Sequence, residues 1–183
     1  MATPIVADRE QRARENAIAL RGRVEGLATV LTRLVPKYGD DLFETHFQVV
    51  KSALEASRPE REKLERGSFE RHGLNPADMR DVAKWYQVTA EEGWENDPNF
   101  GLWEMEVAEA TERRCALKIT RCLYAQFWRE LGHAEIGYQI QCRCDFAWFD
   151  RPAWNPAVRF ECPATLMRGD DYCLLVQYLP DEG

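Results

Sequence analysis

Apolar residues in the first third of the chain recur at helical spacing. Between Ala7 and Leu34 they fall at Ile18, Leu20, Val24, Leu27, Val30, Leu31 and Leu34, which predicts an amphipathic helix. Pro36 and Gly39 in "VPKYGDD" punctuate the chain there. "DLFETHFQVVKSALEAS" resumes the helical pattern with Leu42, Phe43, Phe47, Val50 and Leu54. His46 lies on or beside that stripe, as a core or half-exposed histidine or as a ligand. "RPEREKLERGSFERHGLNP" is highly charged and predicts a solvated short helix and loop. "NPADMRDVAKWYQVTAEEGW" carries a helix start, with Asn75 as cap, Pro76 in the first turn and Asp78 near the positive end of the dipole.

The period changes after Pro98. "LWEMEVAEAT" alternates Trp103, Met105 and Val107 with Glu104, Glu106 and Ala108, the mark of a half-buried strand. "RRCALKITR" alternates too, with Cys115, Leu117 and Ile119 on one face, so Trp103–Thr111 and Arg114–Arg121 form a predicted antiparallel hairpin. "CLYAQFWRELG" returns to helix, with Leu123, Phe127 and Leu131 four apart and Gly132 as its stop. "HAEIGYQIQCRCDFAWF" reads as helix as well, with Ile136, Ile140 and Cys144 on one stripe. Val158–Met167 and Tyr172–Leu179 predict a second hairpin, turned through "RGDD". The class is α+β: N-terminal helices, then antiparallel hairpins with two helices between them, and the helices packed on one face of the sheet. One domain over 1–183 is expected, with a mainly helical half to residue 97 and a sheet-and-helix half from 98.

Charge narrows the partners. The 24 Lys and Arg are outnumbered by 31 Asp and Glu, a net charge of −7, which opposes a nucleic-acid partner because phosphate neutralisation needs a basic face. A small anionic ligand stays compatible with it, since arginines can cluster locally. The segment "MATPIVADREQRARENAIAL" has no apolar run of signal-peptide or membrane-span length, so no membrane partner and a cytoplasmic location are expected. The six cysteines all lie from Cys115 onward and are expected as free thiols. Cys142 and Cys144 are one residue apart rather than two, with no second close pair, which argues against structural zinc.

The stretch from Cys122 to Cys173 resembles a known family. "CLYAQFWRELG" at 122–132, "EIGYQIQCRCDF" at 135–146, "NP" at 155–156 and "LMRGDDYC" at 166–173 are similar, in order and spacing, to the L-2-amino-thiazoline-4-carboxylic acid hydrolase family. All of these pieces lie in the sheet-and-helix half. The resemblance implies a cytoplasmic hydrolase that opens a small cyclic amidine. In the reaction that names the family, water adds at the carbon between ring sulfur and ring nitrogen. The C–S bond then breaks to give an N-carbamoyl amino acid.

That chemistry asks for a carboxylate, either to hold the amidinium or to act as general base. Asp145 is the first candidate, because it lies in a matching piece and Phe146, Trp148 and Phe149 can exclude water and raise its pKa. Its alternative is to end the helix by bonding a backbone amide. Cys173 can serve as a nucleophile if a base or positive charge lowers its pKa, or as a small buried strand residue; Cys122 and Cys142 carry the same two readings. Asp170 and Asp171 are turn formers or pocket carboxylates. Tyr124 can donate to a substrate carboxylate or to the leaving sulfur, or pack in the core. Arg121, Arg143 and Arg159 are available for the substrate carboxylate. His133 starts a helix, and can otherwise transfer a proton or ligate haem.

The leading expectation is a cofactor-independent hydrolase of a small molecule, with an aromatic-walled pocket between the sheet and the two C-terminal helices. A non-catalytic small-molecule or haem-binding sensor module is the second reading. A homodimer using the six tryptophans for packing and an interface is the third.

Overall fold

The computed structural model describes residues 4–92 and 95–181, so Gly93 and Trp94, at the end of the fourth helical segment, lie outside the described residues. Four helices come first: α1 (Pro4–Tyr38), α2 (Asp40–Ala56), α3 (Arg58–Arg71) and α4 (Met79–Glu91). They lead to β1 (Trp103–Ala110) and β2 (Arg114–Cys122), then α5 (Leu123–Glu130) and α6 (Ala134–Gly137). A π-helical turn, Tyr138–Cys142, continues without a break into α7 (Arg143–Phe149). β3 (Arg159–Ala164), a 3₁₀ turn at Leu166–Arg168 and β4 (Cys173–Tyr178) complete the α+β chain.

The strands make one antiparallel sheet in the order β1-β2-β4-β3. Both expected hairpins are present, and the β2–β4 pairing joins them. The second is shorter than its alternation suggests, because Leu166–Arg168 coils between the strands rather than extending β3.

The first helix runs through Pro36, against expectation. Proline's φ suits a helix, so this residue forfeits one hydrogen bond without turning the chain. The chain turns at Gly39, whose φ is 57°, a conformation that only glycine adopts cheaply. The fourth helix starts later than expected. The Asn75 side chain accepts from the Ala77 amide within a turn, and Asp78 is the cap, accepting from the Arg80 amide at 2.9 Å. The Met79 amide then donates to the Glu112 carbonyl, tying the helix start to the β1–β2 turn.

Two apolar clusters form the core. The first joins α4 (Met79, Val82, Trp85, Tyr86) to the sheet (Cys115, Leu117, Cys173, Leu175), with Phe69 and Trp154 beside them. It gives α3, otherwise a solvated helix as its charges predict, one buried point at Ser68 and Phe69. Phe69 stacks on Trp85 at 4.8 Å, and Arg61 and Glu65 pair at 3.6 Å with their side chains mostly covered. The second cluster joins Leu20, Val24 and Ala28 of α1 to Leu123, Phe127 and Trp128 of α5, and takes in Cys122, Tyr124, Tyr138 and Cys142.

Polar ties fix the layers. Buried Gln177 on β4 accepts from the Tyr86 hydroxyl and donates to the Phe149 carbonyl at 2.7 Å, holding the end of α7 to the sheet. Buried Asn16 donates to the carbonyls of Asp97 and Phe100, holding α1 to the loop before β1.

Candidate active site

The π-helical turn sets the geometry. The Arg143 amide bonds the Tyr138 carbonyl, five residues back, so one extra residue enters the turn. Such insertions are rare and recur at functional sites. The helix is pressed against α5 at Gly137, where a Cβ would lie 2.4 Å from Cγ of Trp128. Glycine is needed there for close approach rather than for an unusual φ.

Asp145 occupies the first turn of α7, inside a continuous helix rather than at its end. It caps no backbone amide; its hydrogen-bond partner is Gln141, whose Nε2 donates to both carboxylate oxygens at 3.3 and 3.2 Å. The groups that feel its charge belong to the second cluster. Cys142 and Cys122 feel the carboxylate, and so does Tyr124. Water reaches the residue, but protein crowds the carboxylate, and the desolvation pushes its pKa up from 3.8 to about 6 against the donation from Gln141. The residue as a whole is exposed, so this is the pKa of a carboxylate crowded at the surface rather than of one sealed in a cavity.

The aromatic neighbours in sequence do not form that wall. Phe146, Trp148 and Phe149 pack on the first cluster; Phe149 stacks on Phe160 at 5.3 Å and meets Trp148 edge-on at 5.0 Å. The charge of Asp145 is felt instead at the end of β2 and the start of α5.

Tyr124 is half-buried, and its hydroxyl donates to Oδ1 of Asn99 at 3.2 Å. Burial raises its pKa, and the Arg23 guanidinium from α1 partly offsets that. Asn99, Arg23 and Gln141 were not singled out in the sequence. The first two come from elements remote in the chain, and only the four-residue spacing of Gln141 and Asp145 was visible there.

The thiols lie close by. Cys173 is buried; its sulfur accepts from the Leu166 amide at 3.3 Å and donates to the Thr165 hydroxyl at 3.6 Å. Neither partner is a base. Burial pushes Cys122 up to about 11 and Cys162 up to about 12, and raises Cys142 further. These thiols therefore stay protonated at neutral pH, the opposite of an activated nucleophile. All six cysteines are free, so thiol titration in denaturant without reductant should count six. In the native protein the reaction should be much slower, and a count that rises on adding reductant would contradict the structure.

The remaining candidates fall elsewhere. Asp170 closes its own turn by accepting from the Thr165 amide at 2.7 Å, while Asp171 is exposed. Arg143 pairs with Glu44 at 2.6 Å and lies over the Phe47 ring, bridging to α2. Arg159 donates to the carbonyls of Pro156, Ala157 and Val158, holding the turn before β3. Arg121 pairs with Glu104 across the hairpin, yet it also lines a shallow groove of about 500 Å³ with Cys122, Arg129 and Leu166. His46 bonds the Ile140 carbonyl, His72 bonds Ser68 and Glu92, and His133 precedes α6.

No group of three or more His, Cys, Asp or Glu among the described residues is arranged to hold a metal ion. No helix among them is long and apolar enough to cross a membrane. No curated protein and no solved structure matches the chain. The family model for L-2-amino-thiazoline-4-carboxylic acid hydrolase does match, over residues 40–176, from the start of α2 into β4. Asp145 lies within that span, and the chain belongs to this family.

Proposed function

We propose that this chain is a hydrolase that opens a small cyclic amidine of the 2-aminothiazoline-4-carboxylate type, with Asp145 as its central group. The observation that carries the reading is the Asp145 carboxylate, raised to about 6 yet open to water, inside the span that the family model matches. At neutral pH it is ionised, and it is more basic than an ordinary aspartate. Those are the properties needed to pair with an amidinium or to take a proton from water.

The sequence of steps is short. Water adds at the carbon between ring sulfur and ring nitrogen, and Asp145 takes its proton. The C–S bond then breaks as the carbonyl forms, and the proton held by Asp145 is returned to the leaving sulfur, which ends as a thiol on an N-carbamoyl amino acid and leaves Asp145 ionised again. Tyr124, kept protonated by its raised pKa, donates a hydrogen bond to the leaving sulfur. Arg23, across Tyr124 from Asp145, supplies the charge for the substrate's carboxylate, because Arg143 and Arg159 are engaged elsewhere. The thiols of Cys122 and Cys142 stay protonated and do not attack.

Incubation with 2-aminothiazoline-4-carboxylate and related cyclic amidines tests this, with the released thiol and the carbamoyl product both measured. Turnover is expected, with kcat/KM falling as pH drops below about 6, since the ionised carboxylate is required. Absence of turnover across the panel, together with a haem absorption band in the purified protein, would instead favour a sensor module.

A further inference from the structure

We infer that Gln141 is a positioning residue for the reaction, fixing the Asp145 carboxylate in its ionised form and in one orientation. This rests on the proposed role of Asp145. Five glutamines in this chain donate to a carboxylate four residues away: Gln11 to Glu15, Gln48 to Glu44, Gln126 to Glu130, Gln139 to Glu135 and Gln141 to Asp145. Four of these pairs are ordinary helix-surface contacts on glutamates. Where such a pair moves the acid, at Glu44 and Glu130, the glutamine donation leads the causes and the pKa falls.

The fifth pair differs in three ways. Its acceptor is an aspartate, whose shorter stem holds the carboxylate close to the helix. Its donor meets both oxygens, at 3.3 and 3.2 Å, so the carboxylate cannot rotate without losing one contact. It also straddles the junction between the π-helical turn and α7. The groups of other elements that feel the carboxylate's charge are Tyr124 on α5, Cys122 at the end of β2 and Cys142 on the π-helical turn, all neutral at pH 7; Cys144 on its own helix feels it too, and Arg23 of α1 acts on Tyr124. The Gln141 amide is thus the direct polar contact that favours the anion. It also leaves the outward lone pairs of both oxygens open for water or an amidinium.

The test reads Asp145 independently of activity. Aspartate labelled with ¹³C at the side-chain carboxyl is titrated in the wild type and in Gln141→Leu, with Asp145→Asn used to assign the signal. The wild-type midpoint is expected near 6, and the Leu variant should titrate higher, by about one pH unit, because a hydrogen bond to the anion is lost. The acid limb of kcat/KM should move by the same amount, giving about a fivefold loss at pH 6 that approaches tenfold at lower pH and shrinks towards pH 8. Gln141→Glu should raise the midpoint as well, by placing a like charge beside the carboxylate. An unchanged Asp145 midpoint in Gln141→Leu overturns the inference by itself. A raised midpoint with an unmoved activity limb overturns it through the reading it rests on, since Asp145 would then not govern the reaction.

Discussion

The Asp145→Asn substitution is expected to slow ring opening by about 10²–10⁴-fold, the usual worth of a positioned acid or base, while leaving the fold intact. Asparagine nearly matches aspartate in shape and accepts the same Gln141 amide proton through its carbonyl. It cannot be ionised, so neither proton transfer from water nor pairing with an amidinium survives. The same substitution should stabilise the protein at neutral pH. The folded-state pKa of Asp145 is raised from 3.8 to about 6, so the folded chain binds this proton more tightly than the unfolded one. Between about pH 4 and pH 6 the wild type therefore loses stability as pH rises, and it stays at the lower level above that window. The Asp145→Asn variant carries no such penalty. Its melting temperature should match the wild type below about pH 4 and exceed it above about pH 6. An inactive variant that is also less stable at pH 7 would mean that the carboxylate serves the fold. A fully active one would end its role in the chemistry.

Much of the fold was legible because it is written in short-range periods. Period-two alternation marked all four strands, and helical spacing marked α1, α2, α5 and the long helix through α7. The misreadings have local physical causes. Pro36 looked like a breaker, but the helix carries it for two further residues and ends only before Gly39. Asn75 and Asp78 both carry capping side chains; the choice fell to Asp78, whose position ties the helix start to the Glu112 carbonyl of a hairpin remote in sequence. The charges of α3 hid the single ring of Phe69, on which Trp85 and Trp154 converge.

The site was less legible, and for a different reason. The residue at its centre, Asp145, stood out through the company of its neighbours, yet those aromatic neighbours pack on the other cluster. Which face a helical residue takes depends on phase, and the π-helical turn shifts that phase by a residue, which a 3.6-residue pattern cannot reveal. Arg23 and Asn99 act on Tyr124 from α1 and from the loop before β1, elements far from it in the chain. Arg143 and Arg159 had the right charge, but position decides use, and each is committed to a structural contact. The linkage between core and chemistry is therefore tight: the turn that orients Gln141 and Asp145 is fixed where α6 meets Trp128.

Alanine at Gly137 should break that linkage. A Cβ there would lie 2.4, 2.7 and 2.8 Å from Cγ, Cδ1 and Cβ of Trp128, and one of those atoms is the root of the side chain, so rotating the ring gives no relief. Trp128 is 1% exposed and cannot swing outward. Alanine's better helix propensity offers up to about 1 kcal/mol, but overpacking of this kind costs about 1–3 kcal/mol or more, and three overlaps place it at the upper end. The net loss should lower the melting temperature by several degrees, about 2–4 °C for each kcal/mol in a chain of this size. Gly22→Ala provides the control: it changes the same residue type inside α1, where a Cβ meets nothing within 4 Å, so propensity alone should act and the protein should gain about 0.5–1 kcal/mol. Activity separates the two positions further. Gly22→Ala should leave kcat/KM unchanged, whereas Gly137→Ala displaces the π-helical turn and should reduce kcat/KM even at temperatures where the variant is fully folded. Equal melting temperatures and equal activities for Gly137→Ala and the wild type would show that α6 can slide along Trp128, and that the close approach does not hold the site.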